Sequence, residues 1–298
     1  MIPFYIYYSM FGFQRVGDLV WAAGDSQTRG FLIGGTAGRT TLNGEGLQHQ
    51  DGHSHILFGT VPNCISYDPT YGYEIAVIVH DGLKRMYEDQ ENVFYYLTVM
   101  NENYQQPEMP EGAEEGILKG IYVLDNVKAK NKAKGDVQLL GSGTILQQVR
   151  KAADMLAEQF DINSTVYSVT SFNELARDGL DVDRHNMLHA DKDSKEAYIT
   201  KVMKDAKGPA VAATDYMKLY ADQVRAWVPT SYRVLGTDGF GRSDSRSNLR
   251  KHFEVSPEYI VVAALKELAD AGDIDKKVLA KAIKDFGIDV DKINPRNA

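Results

Sequence analysis

The sequence predicts an α/β fold built from two mostly parallel-sheet domains. Three observations carry that expectation. Short apolar runs rich in aromatic and β-branched residues recur along the chain, as at residues 3–8, 93–100 and 137–140. Stretches with helical periodicity lie between them, and strand–helix alternation of this kind implies parallel strands covered on both faces. A proline-marked segment, Pro107–Gly112, separates two such regions and divides the chain into residues 1–109 and 110–298.

In order, Met1–Tyr8 reads as a buried strand and Gln14–Ala23 as a helix. Phe31–Gly34 reads as a short strand. The glycine-rich region Gly34–Gly59 keeps no period of 2 or 3.6 and is expected to be a long ordered loop, the kind that usually carries function. Asn63–Tyr67 is a strand stopped by Asp68-Pro69. Tyr71–Tyr87 is a helix with Ile75, Ile78, Val79, Leu83 and Met86 on one side. Val93–Met100 is a continuous apolar run, as in a buried parallel strand.

The second region alternates more cleanly. Strands are expected at 137–140, 165–169, 210–213 and 233–235. Gly141-Ser142-Gly143 turns the first of these into a helix carrying Ile145, Val149, Ala152, Leu156 and Phe160 as its core stripe. Further helices are expected at 172–177, 217–227, 247–253, 257–269 and 276–286, the fourth opened by Ser256 as N-cap and Pro257 at its first position.

Composition narrows the function classes. The chain has 298 residues and a net charge of −8, so wrapping nucleic acid is not expected, because phosphate binding needs clustered Lys and Arg. The basic run Lys128–Lys134 reads as a solvated loop. The one cysteine, Cys64, allows no intrachain disulfide and suits the cytoplasm. No signal peptide is read at the N-terminus, and no stretch of about 20 apolar residues implies a membrane span.

Candidate chemistry concentrates in Gly44–His55, which holds Glu45, His49, Asp51, His53 and His55. His49 and His53 have the i, i+4 spacing of a zinc pair, but that spacing works on a helix, and Gly46 and Gly52 argue against one. An acid/base site is the second reading, since a carboxylate beside a histidine tunes its charge and fixes its tautomer. A solvated polar loop is the third. Gly24-Asp25-Ser26 lacks the glycine at the third position of a Gly-Asp-Gly diphosphate–magnesium motif, Asn43 comes too soon for its second ligand, and the reading is rejected. Gly141–Gly143 could cradle a phosphate at a helix N-terminus, but a tight turn explains it more simply.

Three longer stretches, Pro3–Asp18, Arg29–His55 and Val234–Val255, resemble the homodimeric bacterial pyruvate dehydrogenases, the thiamine diphosphate-dependent decarboxylating component of the pyruvate dehydrogenase complex. The resemblance covers the whole chain. Asp51–His55 and Thr237–Ser243 also resemble elements of the wider transketolase superfamily. It implies that residues 1–109 are the later part of a pyrimidine-binding (transketolase middle) domain and 110–298 a transketolase-like C-terminal domain. The diphosphate-binding domain and the start of the pyrimidine domain are then absent, so the chain is expected to be a C-terminal fragment, inactive by itself.

The resemblance assigns roles by position. His49, Glu45 and Tyr8 are expected to be catalytic, and Tyr8 and Phe11 to contact the cofactor's aminopyrimidine. Asp51 and His55 are expected to line a substrate channel. No metal ligand is assigned here: Mg2+ would be held by the absent domain. Implied partners are a second copy in a homodimer, pyruvate, and the dihydrolipoyl acetyltransferase component with its lipoyl domains. The alternatives are another transketolase-type enzyme or a non-catalytic dimerisation or complex-binding module.

Overall fold

The first four apolar runs pair side by side because each carries side chains that a pleated, covered surface favours. In the computed structural model, which describes residues 1–298, they form β1 (Phe4–Tyr7), β2 (Phe31–Gly35), β3 (Cys64–Tyr67) and β4 (Phe94–Val99). All pairings are parallel, in the order β1-β2-β4-β3. Crossovers run through α1 (Phe13–Asp25), α2 (Ser54–Phe58) and α3 (Gly72–Leu83). β4 lies inside the sheet, and its residues Phe94–Thr98 are buried. The Phe58 ring of α2 stacks on Tyr96 with centroids 3.7 Å apart.

β1 differs from its expected burial. It is an edge strand, and Phe4, Tyr5 and Ile6 are exposed. Its aromatic composition marks a strand, but its outer flank has no neighbour in this chain. The long loop also differs: it folds a single 3-10 turn at Leu47–His49 and then α2.

The second unit opens with α4 (Glu114–Lys119) and β5 (Tyr122–Val127). It continues through β6 (Gly135–Gly141), α5 (Leu146–Phe160), β7 (Ile162–Ser168), α6 (Phe172–Leu188), α7 (Tyr198–Val202), β8 (Ala210–Ala213), α8 (Leu219–Asp222) and β9 (Tyr232–Leu235). Three helices end the chain: α9 (Arg246–His252), α10 (Pro257–Ala271) and α11 (Lys276–Asp285). The sheet order is β5-β7-β6-β8-β9, parallel except for β5. β5 was not expected from sequence, because it carries Asp125 and Asn126 and a bulge between Val123 and Asp125. The helix expected at 217–227 is two short turns. Its opening N–H groups are taken by other partners, Met217 N by Gly52 O (2.8 Å) and Lys218 N by Asp238 Oδ1 (2.9 Å).

The two units meet through polar groups that are buried and paired. Ser171 Oγ donates to Ser66 O (2.6 Å), and Asn173 Nδ2 donates to His55 O (2.8 Å) and Ser66 Oγ (2.6 Å). Arg177 donates to Val61 O and Cys64 O at 3.1 and 2.8 Å. Glu74 is the densest node. Its Oε2 accepts from Thr70 N and Tyr71 N at 2.5 and 3.0 Å, closing the first turn of α3. Its Oε1 accepts from Tyr122 Oη (2.7 Å) and Ser168 Oγ (2.6 Å) of the second unit. Burial pushes the Glu74 carboxyl up, and those four donors oppose the shift.

Removing this acceptor strands three buried donors at once and leaves the Tyr122 hydroxyl with Tyr73 Oη alone. Glu74→Ala is therefore expected to cost about 3–5 kcal/mol of unfolding free energy. Glu74→Gln, which keeps one acceptor oxygen, is expected to cost less. Urea unfolding at neutral pH checks both; a loss under about 1 kcal/mol for the alanine variant would refute the node.

Candidate active site

The end of β1 and the segment following β2 bring four of the sequence-assigned residues together. Tyr8 follows β1 directly and Phe11 closes a single 3-10 turn. His49 closes the 3-10 turn Leu47–His49, and its ring lies 5.2 Å from Tyr8 and 5.0 Å from Phe11, centroid to centroid. Glu45 Oε2 lies 3.6 Å from His49 Nδ1. That Nδ1 is buried and has no hydrogen-bond partner in the present geometry. A small rotation of the Glu45 side chain would let it accept the Nδ1 proton, leaving Nε2 as the working nitrogen. Tyr8 and Glu45 are half-exposed, so this wall faces outward. Arg15, which the sequence reading did not single out, lies over the Phe11 ring at 4.3 Å.

His53, Asp51 and His55 make a different set of contacts. The His53 ring contacts the Gln14 amide, and burial lowers its pKa. Asp51 Oδ1 accepts from His53 N (3.0 Å) and Ser54 N (2.9 Å), and its Oδ2 from Ser54 Oγ, so its carboxylate organises the start of α2. His55 is fully buried, stacked on Tyr220 and edge-on to Tyr216, both at 4.9 Å. Asp51 is also fully buried. In this chain neither side chain reaches solvent, and both are taken up in capping and packing contacts. His49 closes a short 3-10 turn and His53 precedes α2, so the two do not share a helix face, and no group of three or more His, Cys, Asp or Glu side chains is placed to hold a metal.

Beneath the wall runs a buried chain that sequence reasoning missed. His55 Nε2 pairs with Thr98 Oγ1 (2.9 Å), and Thr98 Oγ1 donates to Asp68 Oδ1 (2.7 Å). Tyr216 Oη, from the second unit, donates to the same oxygen at 3.1 Å. Burial drives the His55 pKa down to about 3 and the Asp68 pKa up to about 6, so His55 is neutral and the two do not form an ion pair. Asp68 had been legible only as the end of a strand. Gly143, with φ +49°, packs on it: a Cβ there would lie 2.8 Å from Asp68 Oδ2. The Gly141–Gly143 turn is thus filled by Asp68 and offers no phosphate cradle.

The glycine-rich segment is pinned from the other side. Thr40 N donates to both oxygens of Asp215, at 3.1 and 3.2 Å. Burial raises the Asp215 pKa to about 7. Gln50 is held in both directions by Arg242: its Nε2 donates to Arg242 O (2.6 Å), and its Oε1 accepts from Arg242 N (2.7 Å). These contacts bracket Glu45 and His49 between anchored residues.

Two parallel α/β units joined by a buried polar interface, with an aromatic–histidine wall at the strand ends, define a transketolase-like pair of domains. Solved structures share that fold: a transketolase from Campylobacter jejuni superposes with a TM-score of 0.64 at 18% identity, over 89% of this chain and 36% of that one. A split-gene transketolase described as an inactive β4 tetramer superposes with a TM-score of 0.59 at 15% identity, over 90% of this chain and 77% of that one. Family models match as the pyruvate dehydrogenase E1 component middle domain at residues 1–107 and the transketolase-like C-terminal domain at 120–256. The pyruvate dehydrogenase E1 component of Escherichia coli K12 is 69% identical over 300 residues, and that of Pseudomonas aeruginosa 62% over 296. The chain belongs to the pyruvate dehydrogenase E1 component family, and it spans about a third, 33%, of the length of these curated relatives.

The buried carboxyl of Asp68 makes a signed pH prediction. A carboxyl whose pKa rises on folding stabilises fully below its unfolded pKa of about 4, and that contribution is lost as pH climbs through the folded value. For Asp68 the upper limit is about 6. His55 acts oppositely: its contribution is present above about 6.5 and is lost as pH falls toward its folded value. Between pH 4 and pH 6 the wild type is expected to lose on the order of 2 kcal/mol relative to Asp68→Asn. Denaturant titrations across that range check this, and parallel pH profiles would contradict it.

Proposed function

We propose that this chain supplies the pyrimidine-binding and C-terminal portions, residues 1–109 and 110–298, of a thiamine diphosphate-dependent pyruvate dehydrogenase. The observation that carries the reading is the His49 ring set against both Tyr8 and Phe11 with Glu45 at 3.6 Å, in a chain 69% identical to a pyruvate dehydrogenase E1 component. The same identity favours this reading over another transketolase-type activity, for which the solved relatives offer a likeness of fold alone.

The residues present fit one end of the cofactor. Tyr8 and Phe11 offer aromatic faces suited to a flat heteroaromatic ring. The diphosphate and Mg2+ end has no matching donor set here, since no metal-holding group is present. Thiamine diphosphate, when bound, supplies the electron sink for loss of carbon dioxide. His49 would hydrogen-bond the carboxylate or the new hydroxyl of the pyruvate-derived group and move protons at that oxygen. Glu45 would hold the His49 tautomer, and the Tyr8 hydroxyl would donate a further hydrogen bond. The acetyl unit would then pass to a lipoyl group of a dihydrolipoyl acetyltransferase, with the complete site formed in a homodimer.

Two outcomes follow. The 298-residue chain alone, with thiamine diphosphate, Mg2+ and pyruvate, is expected to release no carbon dioxide above the protein-free rate; measurable turnover would overturn the incompleteness of its site. In the full-length enzyme, His49→Ala is expected to lower kcat by roughly 100-fold or more, while the urea midpoint stays near wild type. Parallel losses of activity and stability would mark His49 as a packing residue.

A further inference from the structure

A second polar cavity lies on the far side of the glycine-rich segment, between α5, α9 and α10. It has a volume of about 730 Å³ and no aromatic lining. Lys151, Arg246, Arg250 and Lys251 line it, against two carboxylates, Asp154 and Glu258. Arg250 is buried and paired with Glu102, its Nη1 donating to Oε1 at 3.1 Å and its Nη2 to Oε2. Arg246 lies 3.8 Å from the same carboxylate. Glu258 accepts from Ser256 Oγ. Lys151 and Lys251 take part in none of the chain's salt bridges. Four cations thus face three carboxylates, Asp154, Glu258 and Glu102, so the cavity keeps one net positive charge in a chain of net charge −8.

The same arginines hold the segment that leads to the candidate active site. Arg246 Nε donates to Thr41 O (2.9 Å), and Arg246 N donates to Asn43 Oδ1 (3.2 Å). Arg250 Nε donates to Thr40 Oγ1 (3.3 Å), and Gly44 N donates to Asp244 O (3.0 Å). Glu45 is the next residue. An anion drawing on Arg246 competes with Thr41 O and with Glu102, and so acts on the backbone that positions Glu45 and His49.

We propose that this cavity binds a phosphorylated polar small molecule, and that its occupancy is felt at Glu45 and His49 through Arg246. The cations select a dianionic phosphate group. The volume lies in the range of small-molecule sites and far exceeds one phosphate ion. The lining lacks a stacking face for a nucleobase, so the organic part is a hydroxyl-rich group such as a sugar. The assignment rests on this cavity and stands apart from the catalytic role of His49.

Glucose 6-phosphate serves as the probe, with glucose and inorganic phosphate as controls, in calorimetric titrations of the 298-residue chain. Saturable binding of the sugar phosphate is expected, at least tenfold tighter than inorganic phosphate, with none for glucose. Lys151→Gln/Lys251→Gln is expected to weaken it at least tenfold while the unfolding midpoint is retained. Absence of binding, equal binding of inorganic phosphate, or unchanged affinity in a folded double variant would each overturn the site. Coupling is read from the His49 ring-proton resonance, assigned by its loss in His49→Gln. It is expected to shift on ligand addition in wild type and much less in Arg246→Gln at saturating ligand. Ligand binding without a shift in wild type, or an equal shift in the variant, would overturn the coupling.

Discussion

The buried carboxyl of Asp68, which takes hydrogen bonds from both units, is the constraint on which their arrangement rests. Asp68 directly follows β3, Thr98 belongs to β4 of the same sheet, and Tyr216 reaches the same carboxyl oxygen from the second unit. A carboxyl with no solvent access must be satisfied by protein donors or carry a proton. Here it does some of each: two hydroxyls donate to it, and its pKa is raised into the range where protonation is substantial near pH 6. The consequence is directional. Sliding one unit against the other would take the Tyr216 donor from a buried carboxyl, so this interface has a preferred register that apolar packing alone would not impose.

The geometry of the candidate site is built on top of that register. Glu45 and His49 lie in a glycine-rich segment with little regular structure of its own, and such segments hold a shape only where their ends are fixed. The fixing points come from the second unit: Asp215 on Thr40, Arg246 on Thr41, and Arg242 on Gln50. The facing wall, Tyr8 and Phe11, comes from the first sheet. A site made this way depends on the interface, and the two units act as one scaffold even though each has its own sheet.

The periodic elements of this fold were legible, and the reasons are specific. Val93–Met100 is apolar throughout because β4 lies inside a parallel sheet, and the stripe on α5 repeats because one face packs on its own sheet. β5 was not legible, since its Asp125 and Asn126 belong to an edge strand with a bulge. β1 was legible as a strand but not in its exposure, because aromatic composition says nothing about which flank is covered. At the site, the grouping of Tyr8, Phe11, Glu45 and His49 followed from resemblance, and the structure places them in one wall. Asp68, Asp215 and Glu74 were hidden because single carboxylates in a sequence carry no sign that they will be buried. Asp51 and His55 were assigned by the same resemblance, and nothing in the sequence marks their burial among capping and packing contacts.

The division of chemistry within the family follows from what this chain can and cannot hold. An aromatic, histidine-bearing wall can bind and orient a planar ring and a small keto acid, and it can move protons at one oxygen. A diphosphate is balanced by a hard cation with several oxygen ligands, and no group of three or more His, Cys, Asp or Glu side chains is placed to hold one here. The exposed flank of β1, with Phe4, Tyr5 and Ile6 uncovered, lies on the same sheet edge as Tyr8. Apolar side chains uncovered along a sheet edge are the surface on which further polypeptide packs.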